Sequence, residues 1–304
     1  MIGIFQFGVF SWILLATSIA TTGLFFYLRT FRRNTSAAVY LAFLCLAGGI
    51  WAFANFFENA ALTRGLKLTW SQISYFGSST GPVFYFLFSL TFVHKKSPPS
   101  PKVVAALFGV PAVTILLALT NESHHLIWTD ITFQAGSTLA IYGHGPGFWI
   151  GVIGYSYAMI LAGFANLGIF VRRLPRYYRM QPILVIFAML LPLVGNALYN
   201  FGPNPVPGLD WTPVSFLAAS FLLTFGVIRY RMLDLVPVAR HSLVETMSDG
   251  ILVLDDRGII LDVNLSMRNL LGGGKREVIG LPANEVLASW PEILPCLEKD
   301  FAGR

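Results

Sequence analysis

Polar side chains at helical spacing are the residues of this sequence best suited to binding a small molecule. Trp51 and Asn55 lie in one apolar run and Glu58 directly follows it, so that the three residues are spaced at intervals of four and three. A helix places such positions on one face. Indole, amide and carboxyl groups on a shared face can hydrogen-bond a ligand, so the sequence predicts part of a binding surface here.

Two other apolar runs carry similar polar stripes. The nine residues that we predict to bind a ligand are Trp51, Asn55, Glu58, Gln72, Tyr75, Asn196, Tyr199, Asn200 and Asp210. Because an unpaired amide is costly in an apolar medium, these faces should point into the protein. The same side chains could instead only hydrogen-bond one helix to another. The sequence leaves a pocket and interhelical bonding both open.

Titratable groups gather in one long loop between two apolar runs, where His124, His125 and His144 occur together. Their spacing matches no standard metal motif, and no metal site is predicted. We expect the loop to form a lid or pH-responsive cap over the ligand site. It could also simply pack over the helices through Leu126 and Ile127. The predicted lid residues are Glu122, His124, His125, Trp128 and Asp130.

The composition excludes a soluble enzyme for most of the length. The 304 residues are 55% hydrophobic and only 12% charged, about half of the roughly 25% charge usual in soluble domains. The net charge of +6 does not indicate a nucleic-acid partner, because the basic residues before position 229 lie mainly in loops between apolar runs. Lipid is the expected surrounding medium.

Seven apolar runs approach or exceed the roughly 20 residues that a helix needs to cross a bilayer. They cover residues 4–28, 37–57, 69–93, 103–120, 147–171, 181–200 and 211–228. Their continuous apolar character indicates helices rather than the alternating strands of a barrel. The runs contain no Asp, Glu, Lys, Arg or His. This disfavours ion pumps and retinal photoreceptors, which use ionisable groups inside the membrane.

The loops predict the orientation of these helices. Ten Lys and Arg residues lie in the three loops that follow the first, third and fifth runs, whereas the other loops hold only Arg64 and Lys67. The positive-inside rule then places the N-terminus outside the cell and everything from Arg229 onward inside. We therefore expect a multi-pass protein of the cell membrane.

The charge-rich segment after Arg229 has the pattern of a small α+β module. Ser242 and Glu245 have capping-box spacing, which predicts a short helix. Residues 251–254 and 259–263 read as strands joined by a tight turn, and Asn264 can cap a helix that runs to Leu271. The run from Met247 to Asn264, followed by 270–272 and 278–280, resembles the first half of a PAS sensory domain.

The whole chain resembles the N-terminal seven-helix sensor region of bacterial and archaeal membrane histidine kinases. The resemblance lies in the seven runs, in the loop from Thr120 to Asp130, and in the segment from Arg229 to Arg240 that leads into the PAS-like part. It implies a mainly α fold with a seven-helix sensor domain over 1–228, a linker over 229–241 and a partial PAS domain over 242–304. PAS cofactor residues would fall mostly in the missing half, so the cofactor is unknown and the sequence requires none.

The resemblance implies a receptor that detects an external or membrane cue and passes the signal through its seventh helix to the PAS module. The predicted relay residues are Arg229, Arg231, Asp234 and Pro237. The family implies a homodimer and a cytoplasmic kinase or response-regulator partner. This chain contains no phosphoacceptor helix and no ATP-binding glycine boxes, so no catalytic residue is predicted and enzymatic activity stays open. The alternative is a small-molecule transporter or channel with a regulatory tail.

Overall fold

The structure is a computed structural model that describes residues 4–31, 35–94, 98–133, 138–174, 179–229, 244–255, 257–271 and 278–290. The chain forms two compact units, Met1–Leu233 and Asp234–Arg304. Most of the first unit is helical, as the continuous apolar runs predict, and the second unit combines short strands with short helices.

Seven helices in the described ranges are long and apolar enough to cross a membrane, which confirms the predicted number. They are α1 (Val9–Phe31), α2 (Ser36–Ala60), α3 (Arg64–Val93), α4 (Pro101–Leu119), α5 (Tyr155–Arg173), α6 (Met180–Phe201) and α7 (Trp211–Arg229). A seven-residue π-helix, Phe148–Gly154, leads directly into α5. Short π segments inside helical spans are frequent at functional sites because they redirect side chains.

At the connection between α2 and α3, both helices extend beyond the runs predicted from the sequence. The second predicted run ends at residue 57 and the third begins at residue 69, so Glu58 and Lys67 lie outside both runs. In the structure α2 continues through Glu58, and α3 begins before Lys67. Thr63 caps α3 by accepting a hydrogen bond from the backbone N–H of Leu66. Glu58 and Lys67 therefore lie within helices, although the apolar runs themselves contain no charged residue.

Close packing between helices depends on small residues. A Cβ atom added to Gly77 of α3 would collide with the backbone of Ala47 and Trp51 in α2. One added to Gly195 of α6 would lie 2.8 Å from the carbonyl oxygen of Trp211 in α7. Glycine at such positions lets helix backbones approach, and this gains dispersion contacts in a medium where burial of apolar groups drives association only weakly.

A β-hairpin covers one end of the bundle, which we call the hairpin end. Its strands are β1 (Trp128–Phe133) and β2 (Ala140–His144), and they pair antiparallel. The Asn121 side chain starts β1: its Oδ1 accepts from the N–H groups of Ile127 and Trp128, and its Nδ2 donates to the Trp128 carbonyl. The sequence predicted only a loop here. The hairpin forms because this local amide network and the burial of Ile127 and Trp128 stabilise it.

The second unit has the element order that the sequence predicts. Strands β3 (Leu252–Leu254) and β4 (Ile260–Val263) pair antiparallel, and they are followed by helices α8 (Leu265–Leu270) and α9 (Ala283–Val286). The Asn264 side chain caps α8 by accepting from Met267 N–H. A small core of Ile260, Val263, Ala283 and Leu287 holds these elements together. The predicted helix cap Ser242 lies outside the described residues.

Candidate functional site

A polar cavity lies inside the hairpin end of the bundle. It has a volume of about 620 Å³, counted to its open mouth. Its walls come from α2, α3, both strands of the hairpin, the π-helix, α6 and the segment before α7. The described lining residues are Trp51, Asn55, Glu58, Ser71, Ser74, Tyr75, Ser78, Trp128, Tyr142, His144, Phe148, Val152, Asn196, Tyr199, Asn200, Gly208 and Asp210.

A buried ionic network joins the hairpin to α2 and α3. Tyr142 of β2 donates from its hydroxyl to Glu58 Oε1 at 2.7 Å, and its oxygen lies 2.7 Å from Ser71 Oγ. Because the single Tyr142 proton points to Glu58, Ser71 is the donor in the second bond. Lys67 Nζ lies 3.8 Å from Glu58 Oε1 and donates to the Glu58 carbonyl at 2.8 Å. The Lys67 and Glu58 side chains are only 1% and 8% exposed.

Burial raises the pKa of the Tyr142 hydroxyl, and the neighbouring Glu58 carboxyl raises this pKa further. The phenol therefore stays protonated over the physiological pH range and remains a hydrogen-bond donor to Glu58. This makes Tyr142 a fixed part of the cavity wall, because its proton is committed to the carboxyl on α2.

Asp210 and Asn196 connect the cavity to α7. Asp210 Oδ1 accepts from the backbone N–H of Thr212, in the first turn of α7. Asn196 Nδ2 donates to Thr212 Oγ1 at 3.2 Å, and Asn196 Oδ1 accepts from the Tyr157 hydroxyl at 3.1 Å. Burial raises the pKa of Asp210 to about 6, although its bonds to Thr212 act in the opposite direction. Residues that face the cavity thus also position the start of α7.

Two buried polar atoms in the cavity wall, His144 Nδ1 and Asn200 Oδ1, have no hydrogen-bond partner among the residues that the structure describes. His144 stacks on Phe148, with ring centroids 3.7 Å apart and an interplanar angle of 8°. Burial lowers the pKa of His144 to about 4, so its imidazole is neutral near pH 7. Unpaired buried polar atoms are uncommon in native proteins and mark places where another molecule can supply the partner.

A second cavity, the apolar chamber, lies next to the polar cavity and has a volume of about 560 Å³ by the same measure. Trp51, Ser78, Val152 and Asn196 line both spaces. The rest of the described chamber wall is mostly apolar: Leu44, Gly48, Gly77, Gly81, Pro82, Ile153, Ser156, Tyr157, Ile160, Met189, Pro192, Leu193, Thr212 and Phe216. The site is therefore polar at the hairpin end and apolar beside it.

The structure brings together eight of the nine predicted ligand-binding residues. Trp51, Asn55, Glu58, Tyr75, Asn196, Tyr199, Asn200 and Asp210 all line the polar cavity. Gln72 is not among its described lining residues. Its Nε2 donates to the carbonyls of Ala118 and Leu119, so it ties α3 to the end of α4. For Gln72 the structure fits the alternative of interhelical bonding.

Of the five predicted lid residues, only Trp128 belongs to the described cavity wall, where it meets Tyr75 with ring centroids 5.1 Å apart. Glu122, His125 and Asp130 are exposed. His124 is engaged locally, because its Nδ1 accepts from Leu126 N–H. No group of three potential metal ligands occurs in the described parts of the chain.

Among the relay residues, Arg229 ends α7, whereas Arg231, Asp234 and Pro237 lie outside the described residues.

Sequence reasoning missed several members of the site. Tyr142, Phe148 and the ion-pair partner Lys67 are not among the predicted site residues, and His144 enters the sequence analysis only as one of the three histidines of the long loop. Tyr142 and Lys67 carried no periodic signal, because each lies beyond the end of a predicted apolar run. The only available signal was that Lys67 falls nine residues after Glu58, across a connection short enough for two helix ends to meet.

Comparison with known families gives two matches. The family described as the N-terminal 7TM region of histidine kinase matches residues 13–237, and the PAS fold matches residues 239–293. A comparison with curated proteins finds no match, and neither does a comparison with solved structures.

Replacing Lys67 with Met should strongly destabilise the bundle, because it leaves the Glu58 carboxyl buried without a cation. Removing one partner of a buried ion pair typically costs about 3–5 kcal/mol in free energy of unfolding. The double variant Glu58→Gln with Lys67→Met should recover much of this loss. Thermal unfolding of the purified single and double variants measures this loss of stability and its recovery. A double variant no more stable than Lys67→Met would contradict the proposed energetic role of the pair.

Asp210 should make stability depend on pH. Its pKa rises from 3.8 to about 6 in the folded protein, so the folded state binds this proton more tightly. Its stabilising contribution is fully present below about pH 4 and is lost as the pH rises through 6. Between pH 4.5 and 7, the unfolding midpoint of Asp210→Asn should therefore fall less than that of the unaltered protein. Asp130→Asn, an exposed carboxylate in β1, is the matched control and should keep the unaltered pH profile.

Proposed function

The chain belongs to the family of N-terminal 7TM regions of histidine kinases, and on that premise we propose that it is the input region of a membrane sensor whose cue binds in the polar cavity. The cavity supports this proposal because its wall is formed by five membrane helices or their extensions together with the hairpin. The observation that carries the proposal is the pair of unpaired buried atoms in that wall, His144 Nδ1 and Asn200 Oδ1.

The route from cavity to output that we propose runs through α7. A ligand changes the balance between two helix arrangements only by binding one of them better. Asp210 bonds to the N-terminal turn of α7, and Asn196 links that turn to α6 and α5. A bound ligand that alters these bonds changes how α7 begins. Arg229, at the other end of α7, leads into the segment that the PAS family matches.

Prolines give the bundle places where a shift can be absorbed. Pro82 lies inside α3 and Pro192 inside α6, and both line the apolar chamber. A proline removes one backbone hydrogen bond from a helix, which lowers the cost of bending there. Occupation of the chamber would therefore act on two helices at points where their backbone hydrogen bonding is already interrupted.

We propose that the hairpin end faces the outside of the cell and that the PAS segment is cytoplasmic. The proposal is supported by the ten basic residues in the three loops at the opposite end of the helices, because loops rich in Lys and Arg usually lie on the cytoplasmic side. The proposed partners are a second copy of the chain and a kinase domain or response regulator, as is usual for sensors of this family. A signal from an external or membrane-borne molecule would then reach the cytoplasm, although the molecule itself would not be transported across the membrane.

Filling the cavity should fix the signalling state. Ser78 lines both the polar cavity and the apolar chamber, so Ser78→Trp should occupy the space of the ligand. With the chain fused to a histidine kinase core, we expect basal autophosphorylation to change at least threefold. Ala158→Trp, at an exposed position in α5, is the matched control and should behave like the unaltered fusion. Equal activity of all three well-folded proteins would contradict a sensory role for the cavity.

The proposed orientation can be tested by cysteine labelling in intact cells. In a Cys296→Ser background, where Cys45 is buried, Ile141→Cys in the hairpin should react with a membrane-impermeant maleimide. Lys102→Cys, at the opposite end and exposed, should react only after the membrane is permeabilised. The reverse pattern would show that the hairpin end faces the cytoplasm.

A further inference from the structure

We infer that the site binds an amphipathic organic cation, with an ammonium head in the polar cavity and an apolar tail in the apolar chamber. The inference rests on the proposed function, because it names the ligand class of the proposed input site. Three independent features of the two cavities carry it: the aromatic wall, the balance of charge and the adjacency of polar and apolar space.

Aromatic rings make up a large part of the polar cavity wall. Six of its described lining residues are aromatic: Trp51, Tyr75, Trp128, Tyr142, Phe148 and Tyr199. Three of these rings form a continuous group, since Trp128 lies 5.1 Å from Tyr75 and 5.9 Å from Tyr142 between ring centroids. The faces of such rings attract cations, and a cage of several rings is the usual means of holding an ammonium group.

The charge in the cavity also favours a cation. Its described wall contains two carboxyl groups, Glu58 and Asp210, and no Lys or Arg. Lys67 already pairs with Glu58, whereas no basic side chain in the described ranges forms a salt bridge with Asp210. His144 is neutral near pH 7 because burial lowers its pKa. An ionised Asp210 therefore leaves one negative charge that a cationic head would balance, and an anionic head would be repelled.

The unpaired atoms agree with this choice. Asn200 Oδ1 is a hydrogen-bond acceptor without a donor, because the Asn200 amide nitrogen is used in bonds to Asn196. A protonated amine carries donors and no acceptor, so it would satisfy this oxygen. A carboxylate or phosphate head would place a further acceptor beside it and would leave Asn200 unpaired.

The tail is inferred from the adjacency of the two spaces. Trp51, Ser78, Val152 and Asn196 line both cavities, so the polar cavity and the apolar chamber lie side by side and share part of their wall. Leu44, Met189 and Phe216 give the chamber an apolar wall. A headgroup alone would leave this space without apolar partners. An alkyl chain would fill it, at a gain of roughly three- to fourfold in affinity for each methylene group buried.

The test measures binding to the whole chain in nanodiscs of zwitterionic lipid, with empty nanodiscs as the blank. The four probes are octylammonium, octanol, octyl sulfate and methylammonium, and the two ionic octyl compounds are kept below their micelle concentrations. The signal is tryptophan fluorescence, since Trp51 and Trp128 line the cavity. We expect saturable binding of octylammonium, at least tenfold tighter than that of the other three. Asp210→Asn should weaken it at least fivefold, whereas Asp130→Asn, an exposed carboxylate at the same end, should leave it unchanged.

A second variant keeps the inference testable if Asp210→Asn does not fold. Asn200→Asp adds a carboxylate at the unpaired oxygen and should tighten octylammonium binding, while Asn204→Asp, outside the described cavity wall, should not. Equal or tighter binding of octyl sulfate or octanol would overturn the ligand class, as would methylammonium binding as tightly as octylammonium. An octylammonium affinity that is the same in Asp210→Asn and Asp130→Asn would also overturn it. None of these results bears on the receptor role, which the kinase fusion with Ser78→Trp judges separately.

Discussion

The bond from Tyr142 to Glu58 is the contact on which the site depends. A carboxyl at the end of a membrane helix is tolerable only when its charge and its lone pairs are satisfied. Lys67 supplies the charge, and the Tyr142 hydroxyl supplies a hydrogen bond at 2.7 Å. Because Tyr142 belongs to β2, the same bond holds the hairpin against α2 and α3. The cavity has walls on this side only because the buried carboxyl is paired across three elements.

The hairpin in turn determines what the cavity is made of. Its strands bring Trp128, Tyr142 and His144 over the ends of α2, α3 and α6, where they meet Tyr75 and Tyr199. The stacking of His144 on Phe148 links β2 to the π-helix before α5. A loop without this pairing would leave the polar ends of the helices open to water. With it, carboxyl and amide groups are enclosed among aromatic rings, and this strengthens their interaction with any polar guest.

Much of the polar site could be predicted from the sequence because α-helical geometry converts spacing into position. Trp51, Asn55 and Glu58 share a face whatever the rest of the fold, and so do Asn196 and Asn200. Gln72 shows the limit of this argument. Its side chain carries an amide group, as do those of Asn55 and Asn196. Neighbouring α4, however, offers this amide two carbonyl acceptors, and Gln72 donates its hydrogen bonds there. Which partner a buried amide finds depends on the adjacent helix, and spacing within one helix carries no information about that neighbour.

The number and character of the helices, the loops that carry positive charge, and the strand–turn–strand–helix order of the PAS segment can all be read from the sequence alone. Each of these follows from local physics: the length of an apolar run, the periodicity of side chains and the capping of a helix end. The folded chain, in contrast, places Glu58 and Lys67 inside the bundle, forms a hairpin from the loop, and completes the site with Tyr142, His144 and Phe148. These features depend on pairs of groups that are distant in sequence, such as Glu58 and Tyr142, 84 residues apart. The free energy of such a pair exists only once the chain has brought both groups together.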